Sequence, residues 1–231
     1  AYNYNGYANI FCTIDGFKNR LWVVGHEVGH SNQVRPGFKW HGTTEITNNL
    51  YALYNQEVIN GRSVRLYDGN PSPFDDAQAN FINGNLAWSQ RDNDTGEDDL
   101  NMARLVPLWQ LKLYFIDILE QRDFYKDVYE HCRKADYSFV NNTNHGELML
   151  DFIRQVCRIG NQNMLGFFEK WGFLRPFKQN VKDYSYKVIE VTEEQINALR
   201  EEIESMNYPT PQIPVHEITD YNWPDFKNKL K

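Results

Sequence analysis

The chain has 231 residues, 41% apolar and 15% aromatic, which is enough to bury one sizeable core, and it reads as a single domain over 1–231. A net charge of −7 without any basic run argues against a phosphate-backbone partner and excludes nucleic acid as the ligand. No apolar run approaches the ~20 residues of a membrane span, and the start at Ala1 shows neither a methionine nor a signal peptide, so a soluble monomer, mature or excised from something longer, is expected.

The opening from Tyr2 to Cys12 is rich in Tyr, Asn and Gly, and Tyr7 to Cys12 can form a short extended run before an Asp15-Gly16 turn. Gly6 to Ile10 would then either hold an extended peptide by backbone pairing or be a frayed arm. Three cysteines, Cys12, Cys132 and Cys157, leave at least one thiol free; Cys132 and Cys157 either pair or stay buried and reduced.

The segment Trp22-Val-Val-Gly-His-Glu-Val-Gly-His30 carries the chemistry. On a helix, positions four apart lie one above the other, so His26 and His30 offer two ring nitrogens to one ion while Glu27 reaches its open side. This is an HExxH zinc pattern. Neutral imidazoles leave the charge on the metal, which brings the pKa of bound water to ~7, and a neighbouring carboxylate can then act as general base. Glu27 is that base. Leu21, Val24 and Val28 form the packing face, while Gly25 and Gly29 are poor helix formers whose presence implies a close backbone or substrate.

A third ligand is needed, and the metzincin spacing fails because Gln33 and Pro36 stand where Gly and His are required. Glu45 and His41 both remain. Glu45 is preferred, because it starts a helix near Thr43 or Thr44 with Ile46, Leu50 and Leu53 on one stripe and Glu45, Asn49, Ala52 and Gln56 on another. His41 lies in a Trp-His-Gly loop of less fixed direction. Asn48 and Asn49 are candidates to orient a ligand, or else surface amides. Trp40 and Tyr51 flank these segments and are first candidates for contact with substrate, or else core.

Gly61 to Ala87 reads as loop with a short helix near Asp75 to Ile82. The acidic run Asp92 to Asp99 departs from the EF-hand order because Glu97 takes the glycine position; a solvated loop is preferred, with Ca2+ as the alternative. Helices are expected over Pro107 to Gln121 with Pro107 in the first turn, Phe124 to Lys134, Glu147 to Ile159 capped by Gly160, and Asn163 to Trp171 capped by Gly172. His131 and His145 in this half receive no role. Tyr184 to Val191 alternates as a strand, then Thr192 and Gln195 form a capping box and Val191 with Ile196 a staple for a helix to about Met206, docked by Ile196, Leu199 and Ile203. Pro209, Pro211 and Pro214 mark an extended tail, in which His216 and Trp223 have no assigned role. The fold class is therefore mainly α with a small β component (α+β), with 1–180 as the core and 181–231 as a strand, a capped helix and a Pro-rich tail packed on it.

Gly25-His-Glu-Val-Gly-His-Ser-Asn-Gln33, then Thr44-Glu-Ile-Thr-Asn-Asn-Leu-Tyr51, and later Phe167-Phe-Glu-Lys-Trp-Gly-Phe173 resemble the enhancin-like zinc metallopeptidases, family sixty of the metallopeptidases, over roughly residues 20 to 175. The resemblance implies a gluzincin catalytic domain with one zinc on His26, His30 and Glu45 and with Glu27 as base. It also implies a mucin or other O-glycosylated protein as substrate partner, host glycans among its contacts, and an extracellular, cell-surface or periplasmic location. A peptidase acting on unglycosylated peptides is the first alternative. A glycan-binding module with a structural metal is the second, which 6 Trp, 14 Tyr and 14 Phe would suit but in which Glu27 would have no task.

Overall fold

The computed structural model describes residues 13–63, 65–138 and 144–230. Both early readings on Gly6 to Ile10, and Cys12, lie outside these residues. After a short α1 (Ile14–Asn19), the expected HExxH helix is α2 (Leu21–Asn32), and it packs along α4 (Asn49–Asn60), with a single turn α3 (Thr44–Thr47) just ahead. The two glycines explain how close this pair comes. A Cβ on Gly25 would lie 2.6 Å from Ala52 Cα, and one on Gly29 would lie 2.1 Å from Asn48 O. The packing face of α2 is thus Leu21, Val24, Gly25 and Gly29, and Val28, expected on it, is 45% exposed.

The second helix is two pieces. Glu45 leaves helical geometry at φ −94 and ψ 16 inside α3, and α4 follows from Asn49. Ile46, Leu50 and Leu53 are buried as expected, and the opposite stripe of Asn49 and Ala52 is buried too, because it faces α2. Next come α5 (Pro73–Ala77), which opens with a capping box of Ser72 and Asp75, and a π turn over Gln78–Asn83.

The acidic loop is largely exposed, as expected for a solvated loop, and is fastened at Asp98. Both Asp98 oxygens accept from the guanidinium of the fully buried Arg104, at 2.5 and 2.6 Å, and burial alone would raise this carboxyl, yet Arg104 and Arg91 hold it low. Both oxygens of Asp98 are thus committed to Arg104. Arg104 sits on α6 (Asn101–Lys112), which starts six residues before the expected Pro107 and carries that proline in its interior before passing into a π turn over Leu113–Ile118. Its residues 103–112 are all buried, so it is the central helix, packed by α3, α4 and α5.

The remaining helices close around it: α7 (Phe124–Lys134), α8 (Gly146–Gly160), α9 (Leu165–Lys170), α10 (Glu193–Ser205) and α11 (Trp223–Lys229). The cap of α8 is Asn161 at φ 50 rather than Gly160, which is the last helical residue and has no room for a side chain against Phe115. Gly172 does take the left-handed position after α9. Thr192 and Gln195 form the capping box of α10, with Ile196, Leu199 and Ile203 buried. Cys132 and Cys157 are both free and buried, and burial pushes each thiol up to about 11.

The expected strand is β2 (Ser185–Val191), and its antiparallel partner β1 (Phe177–Asp183) had no sequence signal; Asp183 pairs with Ser185 across a turn at Tyr184. The hairpin spans residue 180, packs on α8 and carries its tip to the start of α3. The tail is held by Gln110 and Asp220: Gln110 Nε2 donates to His216 O and Ile218 O, and Trp109 Nε1 donates to Asp220. The fold is mainly helical with one small sheet.

Candidate metal centre

Among the described residues, His26, His30 and Glu45 are the one group of His, Cys, Asp or Glu side chains that brings three ligand atoms within 4.8 Å of one another. His26 Nε2 and His30 Nε2 lie 3.2 Å apart, and Glu45 Oε2 lies 3.3 Å from the first and 3.4 Å from the second. Ligand atoms about 2.0–2.2 Å from a tetrahedral zinc stand roughly 3.3–3.6 Å from one another, so the trio has the edges of such a site. Two imidazole nitrogens and a carboxylate are also the donor types zinc takes, and three of them leave one position of a tetrahedron open. The residues fit the metal.

Asn49 Oδ1 lies 2.8 Å from His26 Nδ1 and Gln33 Oε1 lies 3.3 Å from His30 Nδ1, so each Nδ1 can donate and each Nε2 keeps its lone pair for the site. Asn48 lies against both rings, with Nδ2 at 3.1 Å from both His26 Nδ1 and His30 Nε2 and its buried Oδ1 without a hydrogen-bond partner among the described residues. Glu27, half-buried, follows His26 on the same helix.

His41 is not in the group. Its backbone N–H donates to His145 Nδ1 at 2.8 Å and its Nε2 meets Val181 O at 2.9 Å, so the buried ring ties the loop to β1. Burial, with Lys187 and His41 adding to it, pushes His145 down to about 4, which suits a ring that must accept. Trp40, 1% exposed, packs among Phe38, Trp88 and Phe152 as a core residue, although it also lines a cavity of about 410 Å3. Tyr51 stacks edge-on against Tyr129 and opens on a cavity of about 400 Å3 that contains none of the three ligands.

Three contributors escaped the sequence reading. Gln33 accepts from Lys39 Nζ at 2.6 Å and donates to Thr44 O and Thr47 Oγ1, which locks the end of α2 to α3. Asp183 accepts from Gly42 N and from Thr44 Oγ1, both at 2.8 Å, and so fixes the turn that delivers Glu45. Tyr184 donates to Glu45 Oε1. Gln33 had only its place three residues after His30 as a clue; the other two stand about 140 positions from Glu45 and had none. Two cavities flank this tip, of about 410 Å3 with Arg35, Lys39 and Lys187, and of about 330 Å3 with Glu45, Arg91 and Lys182, and Asp183 and Tyr184 line both. Burial pushes the Arg91 guanidinium down to about 10, and its buried Nη1 has no hydrogen-bond partner among the described residues.

A family model described as peptidase M60, enhancin and enhancin-like, matches residues 1–172, a span that contains all three ligand candidates and Glu27. The chain belongs to this family. Membership implies a metallopeptidase with a metal cofactor. Accessory colonization factor AcfD of Vibrio cholerae serotype O1 is 33% identical over 106 residues, 46% of this chain and 6% of that protein. Non-toxic nonhemagglutinin of Paraclostridium bifermentans is 31% identical over 96 residues, 40% of this chain and 8% of its own length. Among solved structures, a metallopeptidase in complex with Tn antigen superposes with a TM-score of 0.77 at 24% identity, over 93% of this chain and 38% of that one. A metallopeptidase from Bacteroides thetaiotaomicron gives 0.76 at 24%, over 93% and 35%. These two share their fold with this chain, which spans well under half of either and a small fraction of the curated relatives.

Proposed function

We propose that this M60 domain is a zinc-dependent endopeptidase that cleaves O-glycosylated, mucin-type proteins next to a glycosylated Ser or Thr. The observation that carries the reading is the trio His26, His30 and Glu45, whose three ligand atoms stand 3.2–3.4 Å apart with Glu27 beside them in sequence. When bound, zinc supplies Lewis acidity, polarising a carbonyl and lowering the pKa of water to about 7. Glu27 takes the proton of the attacking water on its carboxylate and returns it to the nitrogen of the leaving amine. With Nδ1–H of His26 turned to Asn49 Oδ1 and that of His30 to Gln33 Oε1, each Nε2 lone pair is available to a metal. A three-ligand set with a free carboxylate alongside favours catalysis over a structural role, which closes all four positions with protein.

The glycan-directed part has two supports. One metallopeptidase of similar fold was solved with Tn antigen, and beside Glu45 this chain has two cavities walled by polar and cationic side chains, suited to hydroxyl-rich groups. An extracellular, cell-surface or periplasmic location goes with such a substrate, and no helix among the described residues is long and apolar enough to cross a membrane. The deciding experiment compares one mucin-type glycopeptide before and after enzymatic removal of its sugars. Cleavage next to the glycosylated residue, slowed when the sugar is removed, is expected; equal or faster cleavage of the bare peptide would sink the glycan-directed reading and leave a general peptidase.

A further inference from the structure

The two oxygens of Glu45 have different partners. Oε2 lies 3.3 and 3.4 Å from the ring nitrogens, whereas Oε1 accepts a hydrogen bond of 2.7 Å from the Tyr184 hydroxyl. Tyr184 is the turn residue between β1 and β2, and its φ of 61 is left-handed, a region where Gly and Asn are at ease and a bulky side chain is uncommon. Packing does not account for a tyrosine at this place, since the residue is 81% exposed. The tip is nevertheless held in register with the ligand, because the preceding Asp183 accepts from Gly42 N and Thr44 Oγ1, next to Glu45 in the chain. An aromatic residue in an unfavourable turn, aimed at the outer oxygen of a ligand candidate, marks a functional constraint.

We infer that Tyr184 is the positioning residue that restricts Glu45 to ligation through Oε2 alone, which rests on the reading of His26, His30 and Glu45 as the zinc ligands. A carboxylate whose second oxygen is free can turn and offer both, closing the position that water or substrate needs, or can swing out of the site. With Oε1 engaged by the hydroxyl, neither motion is open, and the fourth position stays accessible. The device spans about 140 residues of sequence, and it makes the hairpin part of the metal centre rather than a decoration of its rim.

The test compares wild type with Tyr184→Phe, which keeps the ring and loses the hydroxyl, and with Tyr184→Gly, which also relieves the turn. Zinc affinity measured by chelator competition is expected to fall about 10–100-fold in both variants. The visible spectrum of the cobalt(II)-loaded protein is expected to change from the intense bands of a four-coordinate ion to weaker ones. The melting temperature of the metal-free protein should be unchanged for Tyr184→Phe and equal or higher for Tyr184→Gly, a pattern that a merely structural role would not give. Wild-type zinc affinity and an unchanged cobalt spectrum in Tyr184→Phe would overturn the inference while leaving the ligand set intact. Failure of the wild-type protein to bind zinc would instead overturn both.

Discussion

At the residue scale, a ligand and a base differ in what their loss removes. Glu27→Gln should keep one equivalent of zinc and the fold while turnover falls by about 10²-fold or more, because a general base contributes at least that much when proton transfer is its task. Metal content and turnover on the same sample decide it, and near wild-type hydrolysis would place the base elsewhere. Glu45→Ala should lose the metal, and His41→Ala, whose ring is committed to Val181 O, should retain it. Asn49→Ala leaves His26 Nδ1 without its 2.8 Å partner and should weaken zinc binding by about 10–100-fold in a chelator competition. An unchanged affinity would mean that Asn49 matters for packing alone.

At the element scale, the site depends on how closely two helices approach. Gly29 lets α2 rest on the Asn48 carbonyl, and an added methyl at 2.1 Å from that oxygen meets backbone that cannot swing aside. Gly29→Ala is therefore expected to destabilise by about 1–3 kcal/mol despite its better helix propensity. The melting temperature should fall by roughly 2–4 °C for each kcal/mol, and zinc affinity should fall with it, since Asn48 and Asn49 move with the carbonyl. A stabilised variant would show that propensity outweighs the contact. The same elements show what local patterns reveal. The capping box at Thr192 and the stripe of Ile46, Leu50 and Leu53 are signals between near neighbours and were legible. β1 alternates in exposure, but Gln179 and Asp183 stand on its inward side beside Phe177 and Val181, so the sequence lacks a clear apolar alternation.

For the whole molecule, the tail is clamped by a carboxyl that prefers to be neutral. Burial, opposed by the Trp109 hydrogen bond and reinforced by Glu57, raises Asp220 from 3.8 to about 7. A carboxyl raised on folding stabilises most below its unfolded pKa, and that contribution disappears as pH climbs through the folded value, because the native state binds the extra proton. Wild-type stability should therefore decline between about pH 4 and pH 7 on this account, and Asp220→Asn, which still accepts from Trp109, should lack that part of the decline. Denaturant unfolding of both proteins at about pH 4 and about pH 8 measures the difference, and parallel pH profiles would remove Asp220 as its source.

The sequence by itself determined the chemistry that lies within one or two turns of helix. His26 and His30 are four apart and Glu27 adjoins the first, so the helical repeat alone brings them together, and the glycines on the same helix announced a close backbone. The helical class and most helices followed from apolar periodicity, which reports burial along one element. Only the tertiary structure decided which aromatic residues are available and which distant groups complete the centre. Trp40 is core because Phe38, Trp88 and Phe152 surround it, and no local pattern records that enclosure. Asp183 and Tyr184 reach Thr44 and Glu45 because a hairpin far along the chain folds back onto α3, and a contact between residues so far apart leaves no periodic trace in the sequence between them.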